Sequence, residues 1–142
     1  MRWMVHFPIF SMLDRLQGKR LVHATAVSKN GRAIVLAGLN KVGKSSLGHY
    51  LHSRHGYKYL SDNFLLTNGE EIFAFPEKRR LSPESIRNLR VSSAPDQLVY
   101  GKHHIPTAQD MLELKARADF VFIIGNHRRR HLEHLNSGNA LN

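Results

Sequence analysis

The 142-residue chain contains no cysteine, which excludes a disulfide framework and a thiolate zinc site. No uninterrupted apolar run approaches the length of a membrane span. Residues Met1 to Pro8 lack the long apolar segment of a signal peptide. The expectation is a cytoplasmic protein without a membrane partner. Acidic residues are scarce. Lys and Arg number 21 against 11 Asp and Glu, and the net charge of +10 favours anionic partners. No aromatic-and-basic pattern of an RNA-binding module is visible. Arg128-Arg129-Arg130 reads as a solvated face, so a nucleic-acid partner is not expected. Internal repeats and low-complexity linkers are also missing. The 42% of apolar residues suffices for a core, and the length suits one domain over residues 1–142. The sequence leaves self-association open.

One stretch organises the rest. Ala37-Gly38-Leu39-Asn40-Lys41-Val42-Gly43-Lys44-Ser45-Ser46 fits G-x-x-x-x-G-K-[ST] at every position. The apolar run Ala33 to Ala37 before it reads as a strand, and Ser46 to Leu51 after it reads as a helix. Gly38 and Gly43 permit backbone angles that a side chain forbids. Successive N–H groups of Gly38, Leu39, Asn40, Lys41, Val42, Gly43, Lys44, Ser45 and Ser46 are then available to phosphate oxygens. The helix start adds about half a positive charge at the same point. Lys44 is expected to reach the β/γ-phosphates and the Ser45 hydroxyl to bind Mg²⁺.

Along the chain, Ile9, Met12, Leu13 and Leu16 have helical spacing, and Gly18 suits the helix end. Leu21 to Val27 is strand-like. Asn30-Gly31 predicts a hairpin whose second arm feeds the loop. The helix after the loop runs to about His55 and ends at Gly56. Tyr57 to Leu60 reads as a short strand with Ser61-Asp62-Asn63 at its tip, beside the strand that carries the loop. Phe64 to Phe75 around Asn68-Gly69 reads as a second hairpin. Pro76 to Pro83 reads as a basic loop, and Ser82-Pro83-Glu84-Ser85 as a helix start. Val91 to Pro106 is poorly patterned, with strand-like residues only at Leu98 to Tyr100. A helix is expected over Thr107 to Ala118, then a buried strand over Phe120 to Ile124. The hairpins predict an α/β fold with a mixed, partly antiparallel sheet and flanking helices.

Asp62, at the carboxyl end of a strand, suits either Mg²⁺ binding and proton removal from a hydroxyl, or an Asx-turn. His23 lies on the strand that pairs with the loop's own strand; position alone makes it structural. His49, His52 and His55, like His127, His131 and His134, fall at helical spacing that suits zinc. No carboxylate or cysteine accompanies them. They read as solvated faces, as does His103-His104.

His23-Ala24-Thr25-Ala26-Val27, the Asn30-Gly31 hairpin, the Gly-Lys-Ser loop and Tyr59-Leu60-Ser61-Asp62-Asn63 together resemble the C-terminal domain of HPr kinase/phosphorylase and its shorter relatives. The likeness covers roughly Leu21 to Phe75. It implies an HPr kinase/PEP carboxykinase-like P-loop fold and ATP-dependent transfer to a hydroxyl, on serine of a protein or peptide. It implies that Lys44 binds phosphate and Ser45 binds Mg²⁺. Asp62 would act as acid/base and touch the metal, and His23 would join the catalytic residues. Asn63 stands where the family has a second aspartate, and the Glu-Ile-Arg-Gly-type motif is missing. The phosphorylase activity and HPr as substrate are therefore not carried over. The family members are generally longer, which implies a domain incomplete after Ile124.

Two other readings compete. A nucleotide-binding module without catalysis accords with the lost aspartate. A GTPase accords with Asn40 to Leu47, which is close to the Asn-x-Val-Gly-Lys-Ser-x-Leu loop, but neither Asp-x-x-Gly nor Asn-Lys-x-Asp follows. ATP is expected over GTP for that reason and from the resemblance.

Overall fold

The computed structural model describes residues 2–75, 79–91, 98–99, 102–105 and 112–125. Helix α1 (Arg2–Gln17) leads into β1 (Arg20–Val22), β2 (Ala24–Lys29), β3 (Arg32–Gly38) and helix α2 (Lys44–His55). Next come β4 (Lys58–Asp62), β5 (Leu65–Thr67), β6 (Glu71–Phe73), β7 (Arg79–Leu81), helix α3 (Pro83–Leu89), β8 (Leu98–Val99), β9 (Lys102–Ile105) and β10 (Lys115–Ile124). A seven-stranded sheet has the order β1-β5-β6-β10-β3-β2-β4, and a three-stranded sheet the order β7-β9-β8. Pairing is mostly antiparallel; β10 runs parallel to β3. The result is a mixed α/β fold with a mostly antiparallel sheet and three helices among the described residues.

The Asn30-Gly31 hairpin forms as expected. Lys29 pairs with Arg32, and Asn30 (φ 54) and Gly31 (φ 73) both turn left-handed, as a tight two-residue turn requires. Strand β2 is buried from Ala24 to Ser28, because strands flank it on both edges and α2 covers one face. Its small residues let the helix come close. A Cβ on Gly48 of α2 would stand 2.7 Å from Thr25 Cγ2, so glycine sets the helix-to-sheet distance. Ala24, Ala26, Ala33, Val35, Leu60, Leu65, Ile72 and Ala116 form the core across this sheet. Helix α2 ends at Gly56 (φ 69), whose N–H donates back to His52 O while the Tyr57 N–H donates to Leu51 O.

Several expectations need correction. Strand β4 does not lie beside β3, because β2 is inserted between them. The expected helix over Thr107 to Ala118 fails from Lys115 onward, where β10 begins; residues 106–111 lie outside the described part. Ala116 and its neighbours favour helix intrinsically, but pairing of Lys115–Arg117 with β6 overrides that preference. The expected loop from Pro76 to Pro83 contains β7, and the weakly patterned segment after Val91 contains β9. Both are short and basic, so neither shows the alternation that marks a strand.

The expected buried strand Phe120 to Ile124 is a strand but an exposed one. Phe120, Val121, Phe122 and Ile123 are 56%, 64%, 39% and 59% exposed. Strand β6 pairs only with Lys115–Arg117, so beyond Asp119 the edge facing away from β3 carries no strand among the described residues. Ile9, Met12 and Leu16 of α1 are likewise exposed. Asp119 sits at a register shift and is paired with Arg32 and Arg117, at 2.6 and 3.1 Å. Arg128 to Arg130 and the His127, His131 and His134 set lie outside the described residues. No helix among the described residues is long and apolar enough to cross a membrane.

Candidate functional site

The glycine loop joins β3 to α2 at one end of the large sheet. Gly38 ends β3 at φ 140, and a Cβ there would fall 2.3 Å from Ile124 O of β10, so only glycine fits. Gly43 (φ 100, ψ 10) is the left-handed residue before α2, and its carbonyl accepts the first helical bond from Leu47 N–H at 2.9 Å. Leu39, Asn40 and Lys41 are exposed, and Lys41 also has positive φ. Val42, Ser45 and Ser46 are half-buried. The strand–loop–helix order matches the expectation.

Lys44 is buried, and its ammonium donates to Gly38 O and Leu39 O, both at 2.8 Å. It thus lies over the first turn of its own loop, and those bonds must be exchanged before it meets any other anion. Its pKa is lowered, first by burial and then by the nearby Lys102 ammonium, with Asp62 pulling the other way. The Ser46 hydroxyl lies 2.7 Å from Ser85 Oγ, which in turn is 2.9 Å from Ser82 Oγ. Ser82 caps α3 by accepting from Ser85 N–H. A chain of hydroxyls therefore connects the loop's helix to α3.

Asp62 closes β4, directly across from Thr25 of β2, and is buried. Its Oδ1 accepts from Thr25 Oγ1 and its Oδ2 from Arg80 N–H, each at 3.0 Å. It forms no Asx-turn; it ties β4 to β2 and to the small sheet. Its electrostatic effect on Lys44 puts the two in one polar cluster although β4 is two strands from β3. His23 falls in the one-residue break between β1 and β2, exposed, with its ring 5.6 Å from that of Phe64. Its pKa is lowered by partial burial and then by Lys44, against a hydrogen bond to the Asn63 side chain, which raises it. Lys44, Asp62 and His23 thus gather at the same end of the sheet. Asn63, which stands where the HPr kinase/phosphorylase family has a second aspartate, holds φ 147 and donates its N–H to Ala24 O.

A neighbouring cluster corrects the reading of the α2 histidines as solvated. His49 is buried, and its Nδ1 lies 3.3 Å from Arg79 Nη1. Burial, followed by the Arg79 charge, lowers its pKa from 6.5 to about 4. The Arg79 guanidinium sits 4.8 Å over the Tyr59 ring, whose hydroxyl pKa is pushed up by burial and by Asp62. His52 is half-buried and meets Tyr57 O at 2.6 Å; only His55 is exposed. His103 and His104 are half-buried on β9. Among the described residues, no group of three or more His, Asp or Glu side chains converges as a metal cluster.

Sequence reading missed Thr25, Arg80, Lys102 and Ser85. Thr25 lies inside the quoted His23 to Val27 run, but its bond to Asp62 depends on strand register. Lys102 lies in the segment without pattern. Ser85 was legible only as part of a helix start.

Protein-family models give no match to the chain. No curated protein matches it either. Among solved structures it is similar to the Hpr(Ser) kinase/phosphatase from Coxiella burnetii, with 16% identity and a TM-score of 0.53. The match covers 82% of this chain and 73% of that one. The fold is HPr kinase-like.

Proposed function

We propose, from this fold and this cluster, that the chain binds ATP with Mg²⁺ on the loop Gly38 to Ser46 and transfers the γ-phosphate to a hydroxyl. The acceptor class is serine of a protein or peptide, by analogy with the Hpr(Ser) kinase/phosphatase. The observation that carries the reading is the gathering of Lys44, Asp62 and His23 beside the start of α2. Lys44 Nζ would exchange its two loop carbonyls for β/γ-phosphate oxygens. The Ser45 hydroxyl and the Asp62 carboxylate are hard oxygen donors of the kind that, with phosphate and water, complete a Mg²⁺ shell. The acceptor hydroxyl would attack the γ-phosphorus, its proton going toward Asp62 as the bond to the ADP oxygen breaks. His23 borders the same space and would help to position the acceptor.

A second reading, nucleotide binding without transfer, is favoured by one observation. Both Asp62 oxygens already accept hydrogen bonds, and Asn63 supplies no further charge. An ionised carboxylate has about four acceptor sites, so a substrate hydroxyl is still accommodated.

Labelled γ-phosphate transfer into lysate proteins, read as acid-stable phosphoserine, tests the proposal. Lys44→Ala should abolish both binding and transfer. Asp62→Asn keeps the shape, because the introduced amide can donate to Thr25 and accept from Arg80. It should leave ATP binding intact and reduce transfer about 10²–10⁴-fold. Binding without transfer in the parent protein selects the second reading. Undiminished ATP binding by Lys44→Ala would overturn both.

A further inference from the structure

We propose that Lys102 of β9 is a second phosphate-binding cation of this site and meets the terminal phosphate of a nucleoside triphosphate. The inference rests on the nucleotide reading above and names a residue that neither the loop motif nor the resemblance supplies.

Strand register delivers the residue. Arg80 pairs with His104 and Leu81 with His103, so Lys102, two residues from His104, shares the face of Arg80. The small sheet is fixed beside Asp62, because the Arg80 N–H donates to Asp62 Oδ2 at 3.0 Å. A second anchor lies on the other face, where Arg79 meets His49 of α2. Two independent contacts thus hold the pair β7–β9 against the end of the large sheet where Lys44 lies. Continuing that register sets Lys102 across from Ser82, whose hydroxyl leads through Ser85 to Ser46 in the first turn of α2, and its charge adds, after burial, to the lowering of the Lys44 pKa.

The electrostatics show what is missing. Lys102 is half-buried and forms no ion pair among the described residues. Its charge acts on Lys44 and, more weakly, on His23. The nearby carboxylate, Asp62, is already engaged by Thr25 and Arg80. Among the described residues, two ammonium groups against one hydrogen-bonded carboxylate leave the cluster net positive, and like charges held together in partly buried surroundings repel. A multiply charged anion relieves that repulsion. A triphosphate does so best, because Lys44 is suited to the β/γ bridge and Asp62 to the acceptor side of the γ-phosphate, where Lys102 would add its charge.

Calorimetric titration of the full chain with ATP·Mg²⁺ and ADP·Mg²⁺ tests this. Lys102→Met keeps the apolar stem and removes the charge, and thermal melting checks that it folds. The parent should bind ATP more tightly than ADP. Lys102→Met should weaken ATP binding about 10- to 100-fold, the size of one charge-assisted hydrogen bond, and change ADP binding by less than about 2-fold. Lys102→Arg should keep most of the preference. Equal weakening for both nucleotides, or no change for either, would overturn the role of Lys102 while leaving the nucleotide reading intact. Should the parent bind neither nucleotide, the reading beneath it falls as well.

Discussion

The two sheets of this molecule are stabilised by different chemistry. The large sheet is an apolar object. Ala24, Ala26, Val27, Ala33 and Leu60 are fully buried in it, and burial of apolar surface drives its formation. The small sheet is built largely from basic residues, with Arg79, Arg80 and Lys102 beside His103 and His104 among its described residues and Leu81 and Ile105 as its buried apolar contacts. It is attached through directional polar bonds, to the large sheet at Asp62 and to α2 at His49. Apolar packing tolerates small shifts, whereas these bonds fix geometry. The cationic sheet can therefore hold its charges at a defined place beside the glycine loop.

The largest expected effect comes from the apolar side. Leu60→Ala empties a fully buried position and should cost about 2–5 kcal/mol in urea denaturation. Both sheets should then melt together, since β4 carries Asp62. Arg79→Met attacks the polar side. It removes the contact to His49 and the cation over Tyr59, at an expected cost of about 1–3 kcal/mol.

This variant also has a pH signature. His49 has a folded pKa of about 4 against 6.5 as its ordinary value, so the unfolded chain binds more protons between those limits. The corresponding stability is present above pH 6.5 and is lost as pH falls toward 4. Without the Arg79 charge the His49 pKa should rise and that loss should shrink. Histidine NMR titration paired with urea midpoints at two pH values reads both effects. If the His49 pKa does not move, Arg79 is not its electrostatic neighbour in solution.

How far the sequence reached follows the same division. The hairpin at Asn30-Gly31, the loop, α2 and its Gly56 cap were legible because each follows from local turn, cap or motif chemistry. Lys44 and Asp62 were legible through the motif and the resemblance. The small sheet was not, because its strands owe their place to bonds from residues distant in sequence, such as Arg80 to Asp62. The reach of Lys102 toward Lys44 was hidden for the same reason. Strand β10 shows the opposite error. Its five apolar residues from Phe120 read as buried, yet no described strand covers their second edge.

Two smaller effects sharpen the contrast. Ser82→Ala deletes the α3 cap and breaks the hydroxyl chain to Ser46, and should cost about 1 kcal/mol. Phe122→Thr, at the exposed end of β10, should change stability by less than about 0.5 kcal/mol. A substantially larger loss, seen in the denaturation midpoint, would mean that the Phe122 ring is covered in solution.

Gly48 gives the molecule an unexpected tuning screw. This residue offers the site no side chain, yet its missing methyl decides how deeply α2 seats against Thr25, the partner of Asp62. Restoring one carbon there would lift the whole helix and swing its first turn, with Lys44, away from β2. An engineer wishing to retune the reach of that lysine would therefore leave the loop untouched and work from behind it, at the helix's contact with the sheet.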